Sequence, residues 1–101
     1  GLVGAPEVNS VYDLLNNHDV EVDNSTWNRR YRDYMNKIKT GSILEIADVL
    51  RSLFLLKYKK NLSFGEKKML EQCRLLIAQE ISVSQGAEVK DVETKLNSYF
   101  N

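Results

Sequence analysis

The sequence has little cysteine, histidine or proline and no long apolar run, and each scarcity excludes a class of protein. Its 101 residues include one proline, one cysteine and one histidine. A single cysteine cannot form an internal disulfide, and a single histidine excludes metal sites built on paired histidines. No uninterrupted apolar run is longer than the four residues of Leu53–Leu56, whereas a membrane-spanning helix needs about 20. We therefore expect a protein of a reducing cytoplasm with no membrane partner.

The residues that catalysis would use are also sparse. His18 falls in a polar connector, where an exposed histidine is expected, and Cys73 falls on an apolar stripe, where a small buried side chain is expected. The five glycines are scattered, so no phosphate-binding loop is present. Acidic pairs such as Glu66 and Glu71 fit an ordinary helix surface. We expect a protein that is not an enzyme and that holds no metal and no cofactor.

Apolar residues recur with helical spacing, and no useful length of chain alternates as a strand does. In one segment, for example, Trp27 is followed by apolar or aromatic residues at i+4, i+7, i+8 and i+11. The sequence predicts an all-α fold, a compact bundle of about five helices. These helices are expected at about 6–16, at about 26–40, from Ser42 to a break at Asn61, from Ser63 to a break at Ser84, and at about 87–99.

Polar residues at the expected helix starts predict how three of these helices begin. Ser25 or Thr26 can cap the second helix. Ser42 with Glu45, and Ser63 with Glu66, have the spacing of a capping box, in which each residue's side chain binds the other's backbone N–H. We expect residues 1–101 to form a single helical domain, in which residues 84–101 supply a weaker tail helix.

Charge is balanced overall, with 14 basic and 14 acidic residues, but it is unevenly distributed. Residues 1–26 contain five acids and no base, residues 27–74 contain twelve bases and five acids, and residues 75–101 contain four acids and two bases. A basic middle segment between acidic ends is compatible with a polyanionic partner. Charge alone favours the simpler interpretation, which is a set of solvated helix faces.

The segment from Trp27 to Arg32 joins a large aromatic residue with three arginines at a helix start. Cations at a helix start are unfavourable, because the helix dipole places partial positive charge there. A phosphate partner would offset this cost, and arginine can bind phosphate through two hydrogen bonds. Trp27 has two interpretations that spacing does not separate: the first residue of the core stripe, or an aromatic wedge flanked by cations.

A second basic cluster, at a helix–helix turn, is either a phosphate contact or a solvated turn. It contains Lys57, Lys59, Lys60, Lys67 and Lys68.

These segments together resemble a bacterial protein family. The runs that carry the resemblance are Trp27–Tyr31, Lys39–Gly41, Ala47–Leu53 and Leu62–Leu70, with Arg74 and Glu80 beyond them. In order and spacing they look like the helical C-terminal domain of the CarD/CdnL transcription regulators, over about residues 1–82.

The resemblance implies a function in transcription initiation. Members of the family carry an N-terminal β-rich domain that binds the RNA polymerase β subunit. That domain is absent from this chain, so residues 1–5 would be the remnant of a linker. The family's C-terminal domain contacts promoter DNA at the upstream fork of the transcription bubble and stabilises the open complex. The resemblance therefore implies a bacterial, cytoplasmic, nucleoid-associated protein, and we expect it to be a monomer.

The same resemblance assigns roles to residues. A tryptophan matched by Trp27 wedges into the minor groove at the fork, and matched basic residues touch the DNA backbone. The predicted DNA-binding residues are Trp27, Arg29, Arg30, Arg32, Lys39, Lys67 and Lys68.

Three features depart from the family pattern. Phe54 is followed by Leu55 and Leu56 where basic residues are usual, and Phe64 replaces a small residue. The acidic residues within 1–26 would also weaken DNA binding by the isolated domain. An alternative function is therefore a helical protein–protein interaction module without DNA binding, in which the surfaces of Leu55–Leu56 and Phe64 dock a partner helix.

Overall fold

The computed structural model describes residues 3–21 and 25–100, and within these ranges it contains five helices and no strand. The helices are α1 (Ala5–Asn16), α2 (Trp27–Lys39), α3 (Ile43–Lys57), α4 (Phe64–Gln85) and α5 (Val89–Ser98). The predicted all-α fold is thereby confirmed. Residues 1–2 of the expected linker remnant, residues 22–24 of the acidic connector and Asn101 lie outside the described residues.

The end of α3 differs from the sequence-based expectation. The helix ends at Lys57 rather than continuing to Asn61. The backbone N–H groups of Lys59 and Lys60 both donate to the carbonyl of Leu56, at 2.9 and 3.1 Å, which closes a tight turn. Most of the basic run therefore lies in the connection between α3 and α4 rather than on the helix itself.

The predicted caps form to different degrees. Ser42 accepts a hydrogen bond from the backbone N–H of Glu45 at 3.5 Å, but no reciprocal bond from the Glu45 side chain completes a box. Thr26 occupies the cap position of α2, yet its side chain makes no capping hydrogen bond, which corrects that part of the prediction. Gly86 ends α4 with a φ of 64°, a left-handed conformation that glycine adopts without strain.

The core is centred on α3, which packs against α1, α2 and α4. Nine of its fifteen residues are buried, including Leu55 and Leu56. The alternative function places these two leucines and Phe64 at a docking surface, so the structure contradicts the part formed by Leu55 and Leu56 and leaves Phe64 exposed. α5 packs against α4, and Phe100, two residues beyond the end of α5, stacks on Phe54 of α3 with the ring centroids 4.3 Å apart.

Lys37 and Arg51, two cations of the basic middle segment, form ion pairs within the chain. Asp48 forms ion pairs with Lys37 and with Arg51, the latter at 2.7 Å. Arg51 also donates to the carbonyl of Leu14 at 3.1 Å and so ties the end of α1 to α3. Burial would raise the pKa of Asp48, but the hydrogen bonds and charges of Lys37 and Arg51 outweigh it and lower the pKa.

The described residues contain no grouping that suggests a metal or membrane site. Cys73 is fully buried, as expected, and burial raises the pKa of its thiol to about 12. Within the described ranges, no cluster of three or more histidine, cysteine, aspartate or glutamate side chains could hold a metal ion. None of the five helices is long and apolar enough to cross a bilayer.

Candidate nucleic-acid interface

The starts of α2 and α4 meet at a buried carboxylate. Glu66, in the first turn of α4, is fully buried, and its Oε2 lies 2.7 Å from Nη2 of Arg30. Its other oxygen, Oε1, lies 3.1 Å from Nζ of Lys60 in the α3–α4 turn. One acidic side chain therefore joins the two basic clusters that the sequence presented as separate segments.

The same carboxylate completes the capping box of α4. Oε1 of Glu66 accepts from the backbone N–H of Ser63 at 2.8 Å, and the hydroxyl of Ser63 accepts from the backbone N–H of Glu66 at 3.3 Å. Burial by itself would raise the pKa of Glu66. The hydrogen bonds from Ser63, Arg30 and Lys60 outweigh burial and lower the pKa to about 2, so the group stays ionised.

The position of Glu66 corrects the expectation of an ordinary surface carboxylate. The capping box was visible in the sequence, because it depends on a spacing of three residues. The ion pair with Arg30 was not visible, because 36 residues separate the two partners.

Arg30 is the predicted DNA-binding residue whose position differs most from expectation. A contact with the DNA backbone requires an exposed guanidinium, but only 3% of Arg30 is exposed. Besides Glu66, it donates from Nε to the carbonyl of Ser25 at 3.0 Å. Burial would lower the pKa of Arg30, but hydrogen bonds with Glu66 and Tyr34 outweigh it and raise the pKa. Arg30 is thus held within the fold.

Trp27 lies between its two proposed extremes, core and wedge. Its indole is partly buried, and the guanidinium carbon of Arg30 lies 5.3 Å from the ring centroid. Tyr31 packs edge-on against the indole at 5.6 Å, and the ring of Tyr34 is 6.4 Å away. These contacts bury part of the indole, and the rest of it is accessible to solvent.

Gly65 provides the surface on which the indole rests. A Cβ atom at this position would lie 3.2 Å from Nε1 and 3.3 Å from Cζ2 of Trp27. Such distances are shorter than ordinary contacts, so the absence of a side chain lets the indole approach the α4 backbone. Gly65 was not among the predicted site residues, although it lies inside the Leu62–Leu70 run that carries the family resemblance.

Four of the predicted DNA-binding cations remain exposed near these two helix starts. Arg29 and Arg32 project from the first turns of α2, and Lys67 and Lys68 from the first turns of α4. None of them forms an ion pair with another described residue. Lys39 is exposed as well, but it is the last residue of α2, about 18 Å along the axis from Trp27 at 1.5 Å per residue. The structure does not bring Lys39 into this group.

A basic cleft of about 410 Å³ adjoins the exposed cations, between the end of α3 and the first half of α4. Its basic lining residues are Lys57, Lys60, Lys67 and Arg74, against one acid, Glu71. Arg74 lies 4.0 Å from Glu71 and from Glu93, so its charge is partly balanced. The cleft extends the positive surface away from Trp27 along α4.

Phe64 is the exposed aromatic residue at the start of α4. Its side chain is among the most solvent-accessible of the large apolar residues described, with 82% of the residue exposed. Phe64 replaces a small residue of the family pattern, and the alternative function gives it a protein-docking role.

Comparison with known proteins assigns the chain to a family. Residues 10–97 match the family described as CarD, C-terminal domain. A relative from Bacillus subtilis (strain 168), named "Putative transcription factor YdeB", is 38% identical over 68 residues. This alignment covers 67% of the chain but only 44% of the relative, so the chain spans less than half of that protein's length. Because the match extends over all five helices, the chain belongs to the CarD C-terminal domain family.

Proposed function

We propose that this chain is the DNA-binding domain of an RNA polymerase-associated regulator of transcription initiation. In this proposal it contacts promoter DNA at the upstream fork of the transcription bubble and stabilises the open complex. The relative's name describes a transcription factor, which supports the general class. The observation that carries the specific proposal is the partly exposed indole of Trp27, which contacts Arg30 and Gly65 and lies near helix starts whose exposed cations form no ion pair with the described residues.

Trp27 suits the role of a wedge because its support is rigid. The indole is fixed by the guanidinium of Arg30 on one side and the backbone of Gly65 on another. Arg30 is itself fixed by Glu66. A side chain that enters the minor groove must partly unstack a base step, which costs a few kcal/mol. A preorganised ring avoids the additional cost of ordering itself during binding.

The cations supply the sequence-independent part of the affinity. Arg29, Arg32, Lys67 and Lys68 are exposed and unpaired among the described residues, so they can contact phosphates without breaking internal ion pairs. The first turn of α2 contains no acidic residue. Its dipole therefore adds to the positive potential beside Trp27. Arg30 is assigned a positioning role rather than a DNA contact.

The domain would bind DNA weakly without the rest of the protein. Non-specific affinities at physiological salt are about 10⁻⁴–10⁻⁶ M, and the acidic residues within 1–26 oppose DNA further. In the full-length protein, an N-terminal domain bound to the polymerase β subunit would hold this domain close to the promoter and raise its effective concentration.

The proposal is tested by the half-life of the open complex formed by RNA polymerase with the full-length protein. Trp27→Ala should shorten the half-life, and Trp27→Phe should retain part of the effect because a ring remains. Lys90→Ala is the matched control, since Lys90 is an exposed lysine on α5, which does not contribute to the site. A folded Trp27→Ala protein that gives a normal half-life would refute the wedge role.

A further inference from the structure

Phe64 is exposed for no reason that the fold supplies. It is the first residue of α4, and the reciprocal hydrogen bonds of Ser63 and Glu66 cap that helix without it. With 82% of the residue exposed, its ring contributes little to the core. A single exposed apolar side chain is common on protein surfaces, so it is the aromatic and basic residues around Phe64 that indicate a partner.

The position of Phe64 places it beside the proposed wedge. Its chain neighbour, Gly65, lies directly under the indole of Trp27, and adjacent Cα atoms are about 3.8 Å apart. Tyr31, which is 47% exposed, packs edge-on against the same indole. Tyr31, Trp27 and Phe64 therefore lie where the starts of α2 and α4 meet, and both Tyr31 and Phe64 are exposed.

The charges around these rings favour a nucleic acid over an apolar protein helix. Lys67 and Lys68 follow Phe64 by three and four residues, so they lie on the same side of α4 about one turn away. Both are exposed and form no ion pair with the described residues. An aromatic ring with cations one turn away matches an unpaired nucleotide, which has a base to stack and a phosphate beside it.

We propose that Phe64 is a second base-stacking residue, which packs on an unpaired DNA base next to the step contacted by Trp27. Lys67 and Lys68 hold the phosphates of the same strand. The domain would consequently bind DNA with separated strands at one end in preference to closed duplex. This inference rests on the proposed DNA-binding function and adds to it a preference for unpaired bases.

The test compares two fluorescently labelled DNAs that share one sequence, a fully paired duplex and a fork with one unpaired end. Binding of the chain is titrated at low salt by anisotropy. Phe64→Ala should lower the affinity for the fork about fivefold or more, which is the effect of losing one stacked base, and the affinity for the duplex less than about twofold. Phe64→Tyr retains a ring and should restore the fork preference. The control is Tyr58→Ala, because Tyr58 is 61% exposed but lines a cleft towards α5.

The outcomes separate this inference from the function on which it rests. Because the Phe64 ring is outside the core, Phe64→Ala should melt within a few degrees of the unsubstituted chain. If that variant keeps full affinity for the fork, or loses equal affinity for both DNAs, the stacking role is wrong while DNA binding stands. Equal affinity of the unsubstituted chain for fork and duplex would also overturn the proposed stacking role of Phe64. If the chain binds neither DNA, the proposed function itself fails.

Discussion

Nη2 of Arg30 and Oε2 of Glu66 lie 2.7 Å apart in the interior, and this ion pair joins the first turn of α2 to the first turn of α4. The proposed role of Trp27 depends on that contact, because Arg30 lies against the indole. A buried ion pair contributes little net stability compared with apolar packing, but losing one partner leaves a buried charge uncompensated. The pair is therefore best understood as a device that sets the relative position of two helix starts.

We expect Glu66→Gln to destabilise the chain by about 3–5 kcal/mol, since Arg30 would remain buried without its counter-charge. Chemical denaturation measures this loss as a lower midpoint. Glu71→Gln is the control, because Glu71 lies on the same helix at the surface. The double variant Arg30→Met with Glu66→Met should lose less than the sum of the two single changes. A loss below about 1 kcal/mol for Glu66→Gln would show that the pair does not form in solution.

Stability should fall in acid because of Glu66. Its pKa is about 2 in the fold, against an ordinary value of 4.5. A lowered pKa stabilises the folded state fully above pH 4.5, and that contribution disappears as the pH falls towards 2. The loss amounts to about 3 kcal/mol at most. Unfolding free energies measured across this pH range should decline steeply, and Glu66→Gln should flatten the decline. An equally steep decline in Glu66→Gln would assign the acid sensitivity to other carboxylates, such as Asp48.

Gly65→Ala should move the indole of Trp27 without unfolding the chain. Alanine is favoured over glycine in a helix by about 1 kcal/mol, but its Cβ would lie 3.2 Å from Nε1 of Trp27. Because the indole is partly exposed, it can shift outwards. Trp27 is the only tryptophan, so its fluorescence reports the shift directly. We expect a red-shifted emission with a melting temperature within a few degrees, and an unchanged spectrum would place the indole away from α4.

Trp27→Ala should reduce stability by about 1–2 kcal/mol, the usual scale of a single substitution. A fully buried tryptophan would cost about 3–5 kcal/mol, and a fully exposed one almost nothing. The intermediate value follows from the partial burial of the indole. Thermal melting of the chain checks it. If the variant is largely unfolded, Trp27 belongs to the core and not to the interface.

The salt dependence of DNA binding should identify the phosphate contacts. Arg29→Ala, Arg32→Ala and Lys67→Ala should each weaken binding on unrelated sequences and reduce the slope of log K against log salt by about one. Lys90→Ala should leave the slope unchanged, and Lys39→Ala should resemble it, because Lys39 lies at the far end of α2. If all five variants keep the original slope, the exposed cations are only a solvated face.

Local sequence patterns specify the secondary structure and much of the core. Apolar spacing predicts all five helices, and the Ser63–Glu66 spacing predicts a capping box that forms, because both features depend on residues a few positions apart. The burial of Cys73 was predicted from its position on an apolar helical stripe. Local rules were less reliable at the ends of helices, since α3 stops at Lys57 where its basic residues enter a turn.

Which charged residues are available to a partner depends on how the helices pack against one another. Arg29 and Arg30 are adjacent and identical in type, yet one is exposed and the other is buried against Glu66. Glu66 and Glu71 lie on one helix, yet only Glu66 meets a guanidinium from α2. The roles proposed for Gly65 and Phe64 likewise depend on the packing of the Trp27 indole at the start of α4. Helical periodicity fixes the relative angles of residues on a helix, whereas the face that becomes buried depends on the neighbouring helix that packs against it.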